Sequence, residues 1–226
     1  MLQVKLQFQG AWLHNDMCPE VRAIYKVVST RENDVRYHRY LSVSITHRRL
    51  PTLIDGCGYS DQVEMNRNFA LEGEHRGNEC SRWHGTTRKC KIGDKGTTRF
   101  CSDTSCSLCC IMKTSFDLKF FGMKTNFGRF GIGIYTTATS SKSVHIFSGA
   151  LKMLSNGTGP IIRSDSYSHN DSTSKWKAVL LNKVVVGRGY SLKVNDTTLT
   201  GPPAGYDSVS AIPWSLFWWD HMLIES

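Results

Sequence analysis

Two stretches of this 226-residue chain set reactive or recognising side chains beside backbone that can come close to a bound molecule. The first is Trp83-His84-Gly85-Thr86. An imidazole is donor and acceptor at once, the glycine leaves its N–H and C=O within reach of an amide, and Thr86 adds a hydroxyl. The second passes Gly128, Gly131 and Gly133, reaches Ile134-Tyr135 and closes on Ser140-Ser141-Lys142-Ser143. Glycine has no Cβ, so it permits close approach and positive φ, and the tyrosine sets a flat aromatic face beside that gap. Taken singly, each stretch also spells an ordinary turn at the end of a strand.

A third constellation is made of sulfur. Six of the eight cysteines lie between Cys80 and Cys110, and Cys101, Cys106 and Cys109 follow a C-x4-C-x2-C pattern. With Cys90 they supply four thiolates, the number and softness that tetrahedral zinc requires. Buried thiols, or disulfides in an oxidising compartment, would cluster in the same way. Asn156, Asn170 and Asn195 open N-x-[ST] triplets, which read as chance matches where no secretory signal precedes them.

The elements that must position these groups follow from composition and pattern. Hydrophobic residues at 40% and aromatics at 11% suffice for one core, so one domain is expected. Lys and Arg exceed Asp and Glu by 28 − 19 = 9, which favours anionic partners such as nucleotides, nucleic acid or acidic proteins. No apolar run approaches the roughly 20 residues that span a bilayer, and the start does not read as a secretory signal, so a cytoplasmic or nuclear location without membrane contact is expected. Residues 1–20 read as an N-terminal extension with a strand over Leu2 to Phe8, and Val21 to Ser29 as a strand. Val35 to Ile45 is helix or strand, Asp61 to Glu74 a surface helix, and Thr114 to Phe121 a strand or helix. Gly149 to Ser174 reads as a loop, and Lys177 to Lys193 holds a buried strand around Val184-Val185-Val186.

The blocks Trp83-His84-Gly85-Thr86, Gly133-Ile134-Tyr135 with Ser141-Lys142-Ser143, and Gly201-Pro202-Pro203-Ala204-Gly205-Tyr206 stand in an order and spacing that resemble the catalytic domain of the poly(ADP-ribose) polymerase (PARP) family of ADP-ribosyltransferases, tankyrase-like members included. The resemblance extends from about Val21 to about Ile224, and residues 21–226 are taken as that domain. It implies an α+β ADP-ribosyltransferase fold of packed antiparallel sheets with a few short helices. It also implies NAD+ as substrate: His84 holding the adenosine ribose, Gly85 and Ser143 the nicotinamide carboxamide, Thr86 an added hydroxyl contact, and Tyr135 stacking on the ring. The implied activity is transfer of ADP-ribose, single rather than polymeric, to a protein or nucleic-acid acceptor. Zinc also occurs in tankyrase-like relatives, but after the S-K-S block, so its position does not carry over to this cysteine cluster.

Two departures bear on turnover. Ile146 stands where the family places a second stacking aromatic, and His221 is read at the place of the glutamate that faces the developing oxocarbenium. Histidine offers no full negative charge there, so a chain that binds NAD, ADP-ribose or nucleic acid without turnover is the alternative. A zinc-stabilised, basic RNA- or DNA-binding module is a third reading, drawn from charge and cysteines alone.

Overall fold

Strand β1 (Glu79–Gly85) carries the His-Gly pair at its C-terminal end. The computed structural model describes residues 1–47, 79–121, 128–148, 176–211 and 220–223. Within them the other strands are β2 (Ile134–Thr137), β3 (Val179–Val185), β4 (Gly189–Leu192), β5 (Ser208–Ala211) and β6 (Asp220–Leu223). The helices are α1 (Leu2–Gly10), α2 (Arg31–His47), α3 (Ser107–Thr114) and α4 (Ser140–Ser148), with 3-10 turns at Asp94–Gly96 and Leu118–Phe120. The chain is thus α+β. Its described strands join one sheet in the order β3-β1-β2-β6-β5-β4, so packed sheets are not seen among the described residues. Every pairing is antiparallel except β4 with β5.

The two faces of the sheet follow from the sequence of β1. Side chains alternate, so Ser81 and Trp83 share one face while Cys80, Arg82 and His84 share the other. On the first face Trp83, 3% exposed, packs with Phe8, Ala11 and Val144 from α1, the residue after it, and α4. The Phe8 and Trp83 rings meet edge to face at 5.5 Å. On the second face Leu180, the register partner of His84, packs against the cysteine cluster. Cys80 there joins Val184 and Val186.

Several sequence expectations change. Leu2 to Phe8 is helical rather than a strand, because Val4, Phe8 and Ala11 fall on one helical face against the core while Leu2 and Leu6 stay exposed. Residues 1–20, expected as an extension, therefore contribute to the core. Val21 to Ser29 forms no strand despite its composition, since no neighbouring strand supplies a ladder; Val28 is 83% exposed, and Tyr25 instead donates to the Gly93 carbonyl at 3.1 Å. Thr114 to Phe121 is the end of α3 followed by a 3-10 turn, neither strand nor new α-helix. Val35 to Ile45 lies in α2, and β3 and β4 fall within Lys177 to Lys193. The expected helix at Asp61 to Glu74 and loop at Gly149 to Ser174 lie outside the described residues.

Candidate functional site

The His84 ring meets the Tyr135 backbone where β1 and β2 part. The two strands are in register at Trp83↔Thr137, and just beyond it His84 Nδ1 lies 2.8 Å from the Tyr135 carbonyl oxygen. A carbonyl only accepts, so Nδ1 carries the hydrogen and donates. Burial pushes the His84 pKa below the ordinary histidine value, against the pull of this hydrogen bond. The ring is therefore neutral at pH 7, and its Nε2 keeps a lone pair that can accept from a hydroxyl. Phe116 stands edge-on to the imidazole at 4.9 Å. Gly85 pairs with Val179 of β3, and half-buried Thr86 follows it past the strand end.

Phe116 was not legible as part of this site, and the backbone that delivers it is unusual. Ser115, just past α3, has φ 67 and ψ −172, a region that residues with a side chain rarely occupy. That turn ends the helix and directs Phe116 to His84. Strain of this kind costs about 1–3 kcal/mol and tends to be kept where geometry matters.

The glycines of the tyrosine block make room for the protein's own atoms. At Gly131, where φ is +73, an added Cβ would collide with the Leu199 carbonyl, whose oxygen accepts from the Ile132 N–H at 2.9 Å. At Gly128 it would meet the Tyr135 hydroxyl at 2.8 Å. That hydroxyl accepts from the Phe130 N–H at 3.0 Å and donates to the Gly131 carbonyl at 2.8 Å, so the turn grips the end of the ring. Phe121 lies nearly parallel to the ring, centroids 6.2 Å apart. The expected close approach of a ligand to these glycines is thus taken up by internal packing, while the tyrosine is held rigid.

Helix α4 separates its serines by task. Ser140 Oγ donates to the Phe8 carbonyl at 2.6 Å, and Ser141 Oγ accepts from the Leu13 N–H at 3.2 Å. Both hold the N-terminal segment. Ser143 is fully buried and its hydroxyl has no hydrogen-bond partner, a costly state that a ligand amide would relieve. Thr136 Oγ1 and Ser208 Oγ are buried and unpaired as well, so the orphan hydroxyl is not unique to Ser143.

The register of β6 decides which of its positions belongs with Tyr135. Tyr135 pairs with Met222, Thr136 with His221 and Thr137 with Asp220. Paired residues share a face and faces alternate, so position 220 lies on the face of Tyr135 while position 221 lies on that of Thr136 and His84. His221, expected at the glutamate's place, thus pairs with Thr136 and Asp220 with Thr137; the side chains of residues 220–223 lie outside the described residues. Trp218, Trp219 and Ile224 lie outside the described residues, as do the side chains around Ile146.

The sulfur constellation assembles as the spacing anticipates. The Sγ atoms of Cys90, Cys101, Cys106 and Cys109 all lie within 4.8 Å of one another, a group that could bind a metal such as zinc. Burial raises the Cys90 and Cys109 thiols. It works the same way on Cys106, but hydrogen bonds from the Lys89 and Cys109 N–H groups and from neighbouring thiols outweigh it and hold that sulfur below its ordinary value. Cys110 stays apart, donating to the Thr104 carbonyl at 3.3 Å.

Surface hollows of about 360 and 180 Å³ both lie along α1, the first lined by Met1, Lys5 and Val21 to Tyr25, away from His84 and Tyr135. Among the described residues no helix is long and apolar enough to cross a membrane. Comparison with protein-family models and with curated proteins finds no match to the chain.

Proposed function

We propose that the chain transfers a single ADP-ribose unit from NAD+ to a protein or nucleic-acid acceptor, with release of nicotinamide, on an ADP-ribosyltransferase fold like that of the PARP catalytic domain. The observation that supports this reading is the 2.8 Å hydrogen bond from His84 Nδ1 to the Tyr135 main-chain carbonyl, which joins motif blocks 51 residues apart at one strand end, although the ladder sets the two side chains on opposite faces of the sheet. Neutral His84 accepts a ribose hydroxyl through Nε2. Gly85 offers backbone to the carboxamide, and Ser143 brings a buried hydroxyl that nothing internal uses. Tyr135, fixed through its own hydroxyl, presents its ring to the pyridinium with Phe121 beside it.

The reaction breaks the bond between ribose C1′ and the nicotinamide nitrogen, and the acceptor forms a new bond to C1′ while losing a proton. Positive charge grows on the ribose between the two events, and a carboxylate near it lowers the barrier. Asp220 takes that role here; position 221 lies on the other face. The excess of nine basic residues favours an anionic dinucleotide and an acidic acceptor.

Ile146, in place of a second stacking aromatic, favours a rival in which the chain binds NAD+ without turning it over. Purified full chain incubated with NAD+ labelled in the nicotinamide separates the two. Release that disappears in His84→Ala and needs about three- to tenfold more NAD+ in Ser143→Ala supports the transferase, saturable binding with no release supports the rival, and neither binding nor release refutes the site.

A further inference from the structure

The spacing of the four clustered sulfurs is that of a coordination sphere. Cys90 and Cys109 stand 3.5 Å apart and Cys106 and Cys90 3.8 Å apart. Thiolates about 2.3 Å from a tetrahedral zinc are separated by about 2.3 × 1.63, or about 3.8 Å. A disulfide needs about 2.05 Å. We propose that Cys90, Cys101, Cys106 and Cys109 hold a closed structural zinc site that clamps the segment following β1, and with it His84, to the sheet. This inference rests on no part of the NAD reading.

Four protein ligands leave no position for water or substrate, which makes the site structural. Cys106 and Cys109 are 0% exposed, and Ile92, Leu108, Met112, Ala178 and Leu180 wall the cluster in. Zinc with four thiolates carries +2 − 4 = −2, and the surroundings suit that charge. The Lys89 N–H donates to Cys106 Sγ at 3.3 Å, Cys106 and Cys109 sit at the N-terminus and first turn of α3, and Lys113 of the same helix reaches the Cys101 carbonyl at 2.5 Å.

The site is wired to the strand that bears the His-Gly pair. The Leu108 N–H donates to the Thr87 carbonyl at 3.0 Å, bringing α3 onto the residues just past Gly85. Arg88, 5% exposed, binds the Ile92 carbonyl at 2.7 Å and Asp94 at 2.6 Å, and also the Trp176 carbonyl. Leu180, against the cluster, is the register partner of His84, and Phe116 beyond α3 touches the imidazole. A metal that fixes Cys90 to α3 therefore fixes both walls around His84.

The test uses the full chain, expressed with zinc and purified under reducing conditions without chelator. Elemental analysis should find about one zinc per chain, falling at least about tenfold in Cys106→Ser and Cys109→Ser and unchanged in Cys110→Ser. Substitution of cobalt into the wild-type chain should give thiolate-to-cobalt charge-transfer bands and the visible bands of a tetrahedral ion, a readout that needs no variant to fold. Stripping the metal should speed amide exchange at residues 84–92 before it affects β4 and β5. Wild-type chain without metal and without cobalt bands at one equivalent overturns the proposal, as does a mass lowered by the hydrogens of disulfide formation, or metal lost from Cys110→Ser but kept in Cys106→Ser. Zinc bound with exchange at 84–92 unchanged by its removal overturns the clamp.

Discussion

Asp220→Asn and His221→Ala, made separately, give the sharpest test of the site. In the β2–β6 ladder Asp220 pairs with Thr137 and so is the diagonal neighbour of Tyr135, which pairs with Met222. Diagonal neighbours have Cα atoms about 7–8 Å apart, and the proposed reaction sets the acid of residue 220 about 5 Å from the ribose carbon. Unit charges at that separation and an effective dielectric constant of about 20 interact by 332/(20 × 5), about 3.3 kcal/mol. At about 1.36 kcal/mol per decade, the isosteric loss of charge in Asp220→Asn should lower the rate of nicotinamide release about 300-fold. Because the charge matters most when the ribose becomes cationic, kcat should fall while KM for NAD+ stays within about threefold. His221→Ala, at a position of the opposite face, should stay within about threefold in kcat. The assay is release of labelled nicotinamide under saturating NAD+, with thermal unfolding of each variant as a check on folding. A near-normal Asp220→Asn beside a His221→Ala variant slowed a hundredfold would show that the face assignment is wrong.

Other outcomes follow from particular contacts. Ser143→Ala should weaken NAD+ binding about three- to tenfold while leaving the melting temperature unchanged or higher, since it removes a buried hydroxyl with no partner; Ser140→Ala should instead cost about 1 kcal/mol by orphaning the Phe8 carbonyl, as read by denaturant unfolding. Ser115→Gly should stabilise the fold by about 1 kcal/mol because glycine accepts φ 67 without strain, and an unchanged unfolding midpoint would contradict this. Phe8→Ala should cost about 3–5 kcal/mol in equilibrium unfolding, against near zero for a dispensable extension. The folded-state pKa of His84 lies below its unfolded value, so the unfolded chain binds the extra proton first. The histidine's contribution to stability is then present above the ordinary histidine pKa of about 6.5 and lost as pH falls below it toward the lowered folded value, where NAD+ binding should weaken too; a pH titration of unfolding on wild type and His84→Gln isolates it.

What could be read in advance, and what could not, divides along the range of the forces involved. The four metal-competent cysteines were legible because ligand spacing is local, three of them falling within nine residues. The hydrogen bond of the His84 ring to the Tyr135 backbone could not be read from periodicity, which says nothing of partners 51 residues apart. Leu2, Val4, Leu6 and Phe8 alternate with polar residues and so spell a strand, yet only Val4 and Phe8 meet the core, at helical spacing with Ala11. A buried tryptophan on β1 supplied the surface that chose between the two periods. Val21 to Ser29 failed in the converse way, having strand composition without a ladder to join.

At β6 a motif read along the chain leaves His221 and its neighbour Asp220 as candidates for the same place. A motif read along the chain fixes a side chain only to within one position, and in a strand one position is a change of face. The ladder sets the register: with Tyr135 opposite Met222, position 220 shares the face of Tyr135 and position 221 the face of His84. In the proposed reaction the charge comes from one residue earlier, on a side chain shorter by one methylene than glutamate. That shorter reach narrows the geometry in which the carboxylate can meet the ribose, and it makes Asp220→Glu informative in its own right. If the strand is fixed as the pairing implies, the longer acid should keep kcat within about tenfold of wild type, far above Asp220→Asn, because the charge stays on the correct face even where its distance changes.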